Sequence, residues 1–321
     1  MDFPGILGHE RVKTLLSRAL AGGRVPPALL FTGPEGVGKK TMALALGRAL
    51  LCEADAPRPC DRCAACSRCV RSIHPDLFLV EAATKVIKID QVRDAVREIA
   101  SGPFEGRARA FVIDDAHEMT EQASNALLKS LEEPPRTSHV ILVTASPQAL
   151  LPTIRSRCQT IRFGPLPAAV VERHLRSAAG VDAEEVALRV SASGGSLGVA
   201  LSLESRGYRE IRERLLGLLE SVGPARPVER MVLAEALADE DDHEAALGIL
   251  RSLLRDVAAL RAGVPRLLNP DLGERLAILA GGPLGDRATA LAEDAAEARE
   301  ALKGNANKLL TMDLLLESLG R

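Results

Sequence analysis

The chain has 321 residues, 46% of them hydrophobic and 26% charged, with a formal net charge of −2 and mean hydropathy near zero (+0.06). That length predicts two or three domains, and the lack of an acidic or basic tail confines any nucleic-acid contact to a local patch. No apolar run approaches the ~18 residues of a membrane span, and the opening MDFPGILGHE lacks the charged-then-apolar plan of a signal peptide, so a cytoplasmic protein with no membrane partner is expected.

Taken in chain order, residues 9–21 carry apolar side chains at helical spacing, and Pro26-Pro27 end that pattern. ALLFTG (28–33) reads as a short buried strand, and KKTMALALGRALL (39–51) as a helix. A cysteine-rich stretch follows, then a strand at 76–81 and a helix at 89–101 with Asp90 placed to cap its start. RAFVID (109–114) reads as a strand, 121–133 as a helix stopped by Pro134-Pro135, and 139–146 as a strand, with 157–164 closing the series. Such alternation predicts a mostly parallel sheet covered on both faces. Beyond Pro165 only helical periodicity remains, broken at Gly194-Gly195. Three parts are expected: an α/β domain over 1–165 with a metal module at 52–69, a small helical lid over 166–207, and an all-helical C-terminal part over 208–321.

Gly33-Pro34-Glu35-Gly36-Val37-Gly38-Lys39 sits between a strand and a helix, where a phosphate-binding loop belongs. Gly33, Gly36 and Gly38 let backbone N–H groups curl around phosphates, the helix N-terminus adds positive potential, and Lys39 reaches the outer phosphates. The motif calls for Ser or Thr next, as a magnesium ligand. Here that residue is Lys40, and Thr41 comes one step late, turned by about 100° around the helix. In FVIDDAH (111–117), Asp114 suits a magnesium-linked carboxylate. Asp115 stands where a longer Glu would serve as the base that activates water, and losing a methylene moves the carboxylate out of reach. Magnesium-dependent hydrolysis should suffer, whereas weak ATP binding through the loop backbone and Lys39 is compatible with these residues.

Five of the six cysteines crowd into positions 52–69, which in a reducing compartment reads as metal ligation rather than disulfide bonding. Cys60-x2-Cys63-x2-Cys66 with Cys52 supplies four thiolates for a closed, structural zinc site. Cys69 continues the spacing and competes for the fourth place. His74 beside Pro75 is expected to be a loop contact.

NALLKSLEEPP (125–135), VTASPQALLPTIRSRC (143–158), the cysteine cluster followed by His74-Pro75-Asp76, and NANKLLTMDLLLESL (305–319) together resemble the AAA+ clamp-loader subunits of bacterial DNA polymerase III. The resemblance covers nearly the whole chain. It implies an AAA+ domain, a lid and a helical collar in a five-subunit ring that loads the sliding clamp onto primed DNA. The partners it implies are gamma or tau and delta subunits, with the sliding clamp and primed DNA met through the complex. Such a chain belongs to a nucleotidyltransferase holoenzyme and needs no catalysis of its own. In that family the arginine of Ser-Arg-Cys, here Arg157, projects into the adjacent subunit's ATP site as a finger, with Arg155 a weaker candidate, and Thr144 matches the sensor position at a strand end. Motor members carry an arginine within Gly-Ser-Leu-Arg in the lid, where this chain has Gly195-Ser196-Leu197-Gly198. With Lys40 and Asp115, that departure implies a non-motor member. The alternative is an active gamma- or tau-like motor. A zinc-ribbon nucleic-acid binder on a decayed AAA+ fold is disfavoured by the near-neutral charge and scarcity of aromatics.

Overall fold

The computed structural model describes residues 3–55, 58–82, 86–177, 183–203, 205–221, 243–264, 267–303 and 306–320. Part of the expected helical C-terminal region, 222–242, lies outside them.

A five-stranded sheet organises the first compact unit, Met1–Arg173 with Gly195–Val199. Its strands are β1 (Ala28–Thr32), β2 (Leu77–Val80), β3 (Arg109–Ile113), β4 (Ser138–Thr144) and β5 (Gln159–Arg162), in the spatial order β2-β3-β4-β1-β5 with every pair parallel. β1, β3 and β4 are buried along their whole length, as continuous runs such as ALLFT and VILVT require when both faces are covered. Alternate side chains divide between two cores. Leu29, Phe31, Val112, Ile141 and Val143 pack with α1 (Glu10–Ala21) and α2 (Lys39–Leu51). Leu30, Phe111, Ile113, Val140 and Leu142 pack with α4 (Ile89–Ala100) and α5 (Glu121–Glu132) on the other face. Between them run the short α3 (Ala64–Val70) and α6 (Pro152–Arg155).

Helix starts follow local chemistry. Thr120 caps α5 by accepting from the Ala123 N–H, a contact worth ~1 kcal/mol. The expected cap at Asp90 is corrected: α4 begins after Lys88, Asp90 lies inside its first turn, and the Gln91 carboxamide oxygen accepts from the Lys88 N–H at 3.1 Å. The three-residue spacing back from Gln91 sets the helix start two residues earlier than an Asp90 cap would.

The second compact unit comprises His174–Gly194 and Ala200–Arg321. It holds α8 (Ala183–Ala192), α10 (Ser205–Ser221), α11 (His243–Arg261), α12 (Gly273–Gly281), α13 (Pro283–Lys303) and α14 (Lys308–Gly320), while α7 (Ala168–Ser177) and α9 (Leu197–Ser202) run across the division. Its core is aliphatic, with Leu216, Leu253, Leu254, Leu276 and Met312 fully buried. Buried Asp256 accepts from the Leu268 and Asn269 N–H groups and from the Asn269 carboxamide, which pins the loop after α11. Among the described residues no helix is long and apolar enough to cross a membrane.

Candidate functional site

The carboxyl ends of parallel strands are where α/β folds bind ligands, and the predicted nucleotide residues gather there. The loop after β1 runs through Gly33, Gly36 and Gly38, all at positive φ (146°, 68° and 101°), the last capping α2. A Cβ on Gly33 would sit 2.2 Å from the Phe163 carbonyl oxygen, so glycine is required by space as well as by backbone angle. Lys39 is almost fully buried, and its Nζ donates to the carbonyls of Gly33 (2.8 Å) and Pro34 (2.7 Å) within its own loop. Burial lowers the affinity of this amine for its proton, against the pull of Asp115, Glu35 and Asp114.

Lys40 takes the place of the magnesium ligand. Its ammonium lies 3.2 Å from Asp114 Oδ2 and also bonds Glu81. Burial opposes its charge, but the bonds to Glu81 and Asp114 prevail and hold its pKa above the ordinary lysine value. Glu81 was missed in the sequence. Its signal is the β2–β3 register: Val80 pairs with Ile113, so the residue after each strand, Glu81 and Asp114, falls side by side. Thr41 is exposed and joins nothing in the cluster. Asp115 adopts a left-handed backbone (φ 43°), and burial followed by the adjacent Asp114 pushes its carboxyl above the usual range. Thr144, fully buried at the end of β4, shares a 3.1 Å hydrogen bond with His117 Nδ1 and accepts from the Ser146 N–H at 3.0 Å. His117 was likewise not singled out. These residues do not fit a bound magnesium ion, since a lysine ammonium already satisfies the carboxylates that would hold it.

The Gly195-Ser196-Leu197-Gly198 stretch packs on the same loop. The Gly198 N–H donates to the Gly36 carbonyl at 2.9 Å. A Cβ on Gly36 would come within 2.3 Å of Ser196 Oγ, and one on Gly198 within 2.9 Å of Gly36 Cα. Gly198 is thus needed for backbone to meet backbone, beyond offering no side chain.

Arg157 follows α6 at the surface. Its Nε (2.9 Å) and Nη2 (2.6 Å) meet Glu132 Oε1, and Nη1 donates to the Thr153 carbonyl at 2.9 Å. Arg155 is exposed at the end of α6, and Cys158 is buried, its thiol pushed up to about 12 by desolvation.

Four thiols converge beyond α2. The sulfurs of Cys52, Cys60, Cys63 and Cys66 all lie within 4.8 Å of one another, with Cys60 and Cys66 4.0 Å apart. Zn–S bonds of ~2.3 Å in a tetrahedron imply S···S separations of about 3.8 Å, so the set fits a structural zinc. Cys63 N–H donates to Cys60 Sγ and Cys66 N–H to Cys63 Sγ. Backbone N–H groups of Arg62 and Cys63 bring the Cys60 thiol down to about 6, a thiolate ready for a metal. Cys69 is buried outside this group, its thiol raised to about 11 by desolvation. His74 is a loop contact, as expected: its Nδ1 accepts from the Asp76 N–H at 3.1 Å. Asp76, fully buried, in turn accepts from the N–H groups of Phe104, Glu105 and Gly106 and from Arg109 Nε.

A family model described as DNA polymerase III, delta subunit matches residues 8–167, and one described as the C-terminal part of that subunit matches 210–319. The DNA polymerase III subunit delta' of Escherichia coli (strain K12) is 32% identical over 302 residues, covering 92% of this chain and 89% of that protein. The delta' subunit of Bacillus subtilis (strain 168) is 38% identical over 167 residues, covering 52% of this chain and 51% of its own length. Subunit tau of Escherichia coli (strain K12) is 31% identical over 294 residues, 84% of this chain and 45% of its own. The chain thus spans about half the length of the last two relatives and nearly all of the first.

Proposed function

The chain belongs to the DNA polymerase III delta-subunit family, with delta' proteins among its relatives, and on that premise we propose that it is a non-motor subunit of the cytoplasmic clamp loader. In this reading it joins gamma or tau and delta subunits in a ring that opens the sliding clamp and loads it onto primed DNA. It supplies Arg157 to the ATP site of a neighbour and does not cleave ATP itself. The helices after residue 208 form its collar contacts, and residues 166–207 its lid.

The observation that carries this reading is the pairing of Lys40 with Asp114 and Glu81. An ammonium in the metal's place removes the ion that neutralises charge in phosphoryl transfer. Asp115 and Gly198 add to the loss. Arg157 keeps an accessible guanidinium, and such a group placed against a transferring phosphoryl is worth ~10³–10⁵ in rate. The identity to tau proteins makes an active motor the competing reading, and Lys40 stands against it. In the role proposed for the cysteines, Cys52, Cys60, Cys63 and Cys66 hold zinc, which cross-links the segment after α2 and leaves no open coordination position for substrate.

The test is reconstitution of the ring from motor and delta subunits with and without this chain, reading clamp-stimulated ATP turnover. Turnover should require the chain, while the chain alone with magnesium should stay at background. Brisk turnover by the isolated chain would select the motor reading.

A further inference from the structure

Glu132 and Glu133 end α5, and Pro134-Pro135 forbid another turn. Carboxylates in the last turn face the negative end of the helix dipole, an arrangement that works against the helix itself. Glu132 is compensated from outside α5, by Arg157. One of its oxygens, Oε1, takes both Nε (2.9 Å) and Nη2 (2.6 Å). On the other side of the guanidinium plane's stem, Nη1 donates to the Thr153 carbonyl at 2.9 Å, with Ser156 Oγ at 3.5 Å. A guanidinium has five N–H groups in a rigid fork. These bonds hold it by Nε and by both terminal nitrogens, and among the described residues they leave a second N–H on Nη2 without an acceptor. The planar head is therefore fixed from two elements while its tip stays open, with 34% of the side chain exposed.

We propose that Glu132 is a positioning residue for Arg157: it fixes the guanidinium in the pose from which the tip meets an anionic phosphoryl group on an adjoining chain. The inference rests on the finger role argued above. A flexible arginine would spend its rotamer freedom on docking, and a 1 Å misplacement of a catalytic group can cost ~10²-fold. A carboxylate shared between Nε and Nη2 removes that freedom beforehand.

The experiment uses the reconstituted clamp-loader ring carrying Glu132→Ala, Glu132→Asp, Arg157→Ala or the double change in this chain, with ring mass checked for each. Glu132→Ala should lower kcat of clamp-stimulated ATP turnover by at least about threefold, well inside that range, with the KM for ATP unchanged. The Glu132→Asp ring should recover part of the loss, because a carboxylate is kept. The double variant should match Arg157→Ala alone, since residues acting as one unit lose their function only once. Unchanged kcat in the Glu132→Ala ring, or a double variant slower than Arg157→Ala by the full Glu132→Ala factor, overturns the positioning role. If Arg157→Ala itself runs at full speed, the finger reading fails; if it is slow while Glu132→Ala is not, the failure is confined to Glu132.

Discussion

The ε-ammonium of Lys40 lies 3.2 Å from the Asp114 carboxylate, directly after the glycine loop that follows β1. The loop's glycines keep their positive φ angles, yet both lysines beside them are already answered, one by the loop itself and one by carboxylates. Lys39 is turned onto two loop carbonyls, and Lys40 bridges the two carboxylates at the strand ends. The glycine loop keeps its backbone form while the charges of Lys40, Asp114 and Glu81 close on one another.

Replacing Lys40 by Thr should return magnesium dependence to nucleotide binding. A unit like charge ~4 Å from a metal costs about 4 kcal/mol for each unit of the ion's charge at an effective dielectric constant of about 20, and less with the solvent access Lys40 has. In the Lys40→Thr protein, fluorescent ATP should therefore bind at least about tenfold tighter with magnesium than with EDTA, while the parent shows no such difference. Equal affinities in the variant would mean that Lys40 is not what excludes the ion.

The contact between Gly36 and Gly198 predicts that neither tolerates a side chain. Gly36→Ala combines a left-handed backbone with a Cβ pressed to 2.3 Å from Ser196 Oγ, and should cost ~2 kcal/mol, read as a lower Tm. Adding Ser196→Ala should recover part of it. Gly198→Arg, which imitates the motor stretch, should destabilise the protein rather than restore nucleotide contact, because its Cβ meets Gly36 Cα. A Gly198→Arg protein of undiminished Tm would show that the stretch around Gly198 is free to withdraw.

Removal of zinc should lower the Tm of the sheet-bearing unit, as folding and binding are coupled in closed thiolate sites. Metal analysis of single variants separates the ligands: Cys52→Ser should lose the ion and Cys69→Ser keep it. The opposite assignment would contradict the geometry of the four sulfurs.

Asp76 predicts a pH signature. Burial alone would raise its carboxyl, but the N–H groups of Phe104, Glu105 and Gly106 together with Arg109 hold it below the ordinary Asp value. A folded-state pKa below the unfolded one gives stability that is complete above the unfolded value, about 3.9, and is lost as pH falls through the folded one. Asp76→Asn should cost about 3 kcal/mol at neutral pH and flatten the acid limb of the stability curve. Chemical denaturation at pH 7 and pH 3 reads both; an unchanged acid limb would exclude Asp76 as its source.

Much of this was legible along the chain because strand and helix periods differ and the chemistry sits where strands end. ALLFTG before a glycine loop, RAFVID before two aspartates and VILVT before a polar turn each announce a carboxyl end of a buried strand. Lateral order was not legible. Glu81 becomes a partner of Lys40 only because β2 lies beside β3 in register, and no spacing in the sequence reports that. Cys69 competed with the favoured Cys52 for the fourth place because it alone continues the x2 spacing, and the path of the chain after α2 is what brings Cys52 to the other three sulfurs. Asp90 misled because the helix starts two residues before the place where its side chain could cap, with Gln91 reaching back to accept from the Lys88 N–H.

The central claim is that chemistry serving a neighbour survives here while chemistry serving the chain's own loop has gone. Clamp-stimulated ATP turnover by the complete ring, measured with Arg157→Ala in this chain beside the parent and at equal ring mass, tests it most directly. The account predicts that the variant ring assembles but loses the turnover of the adjoining site. Turnover equal to the parent's would contradict it.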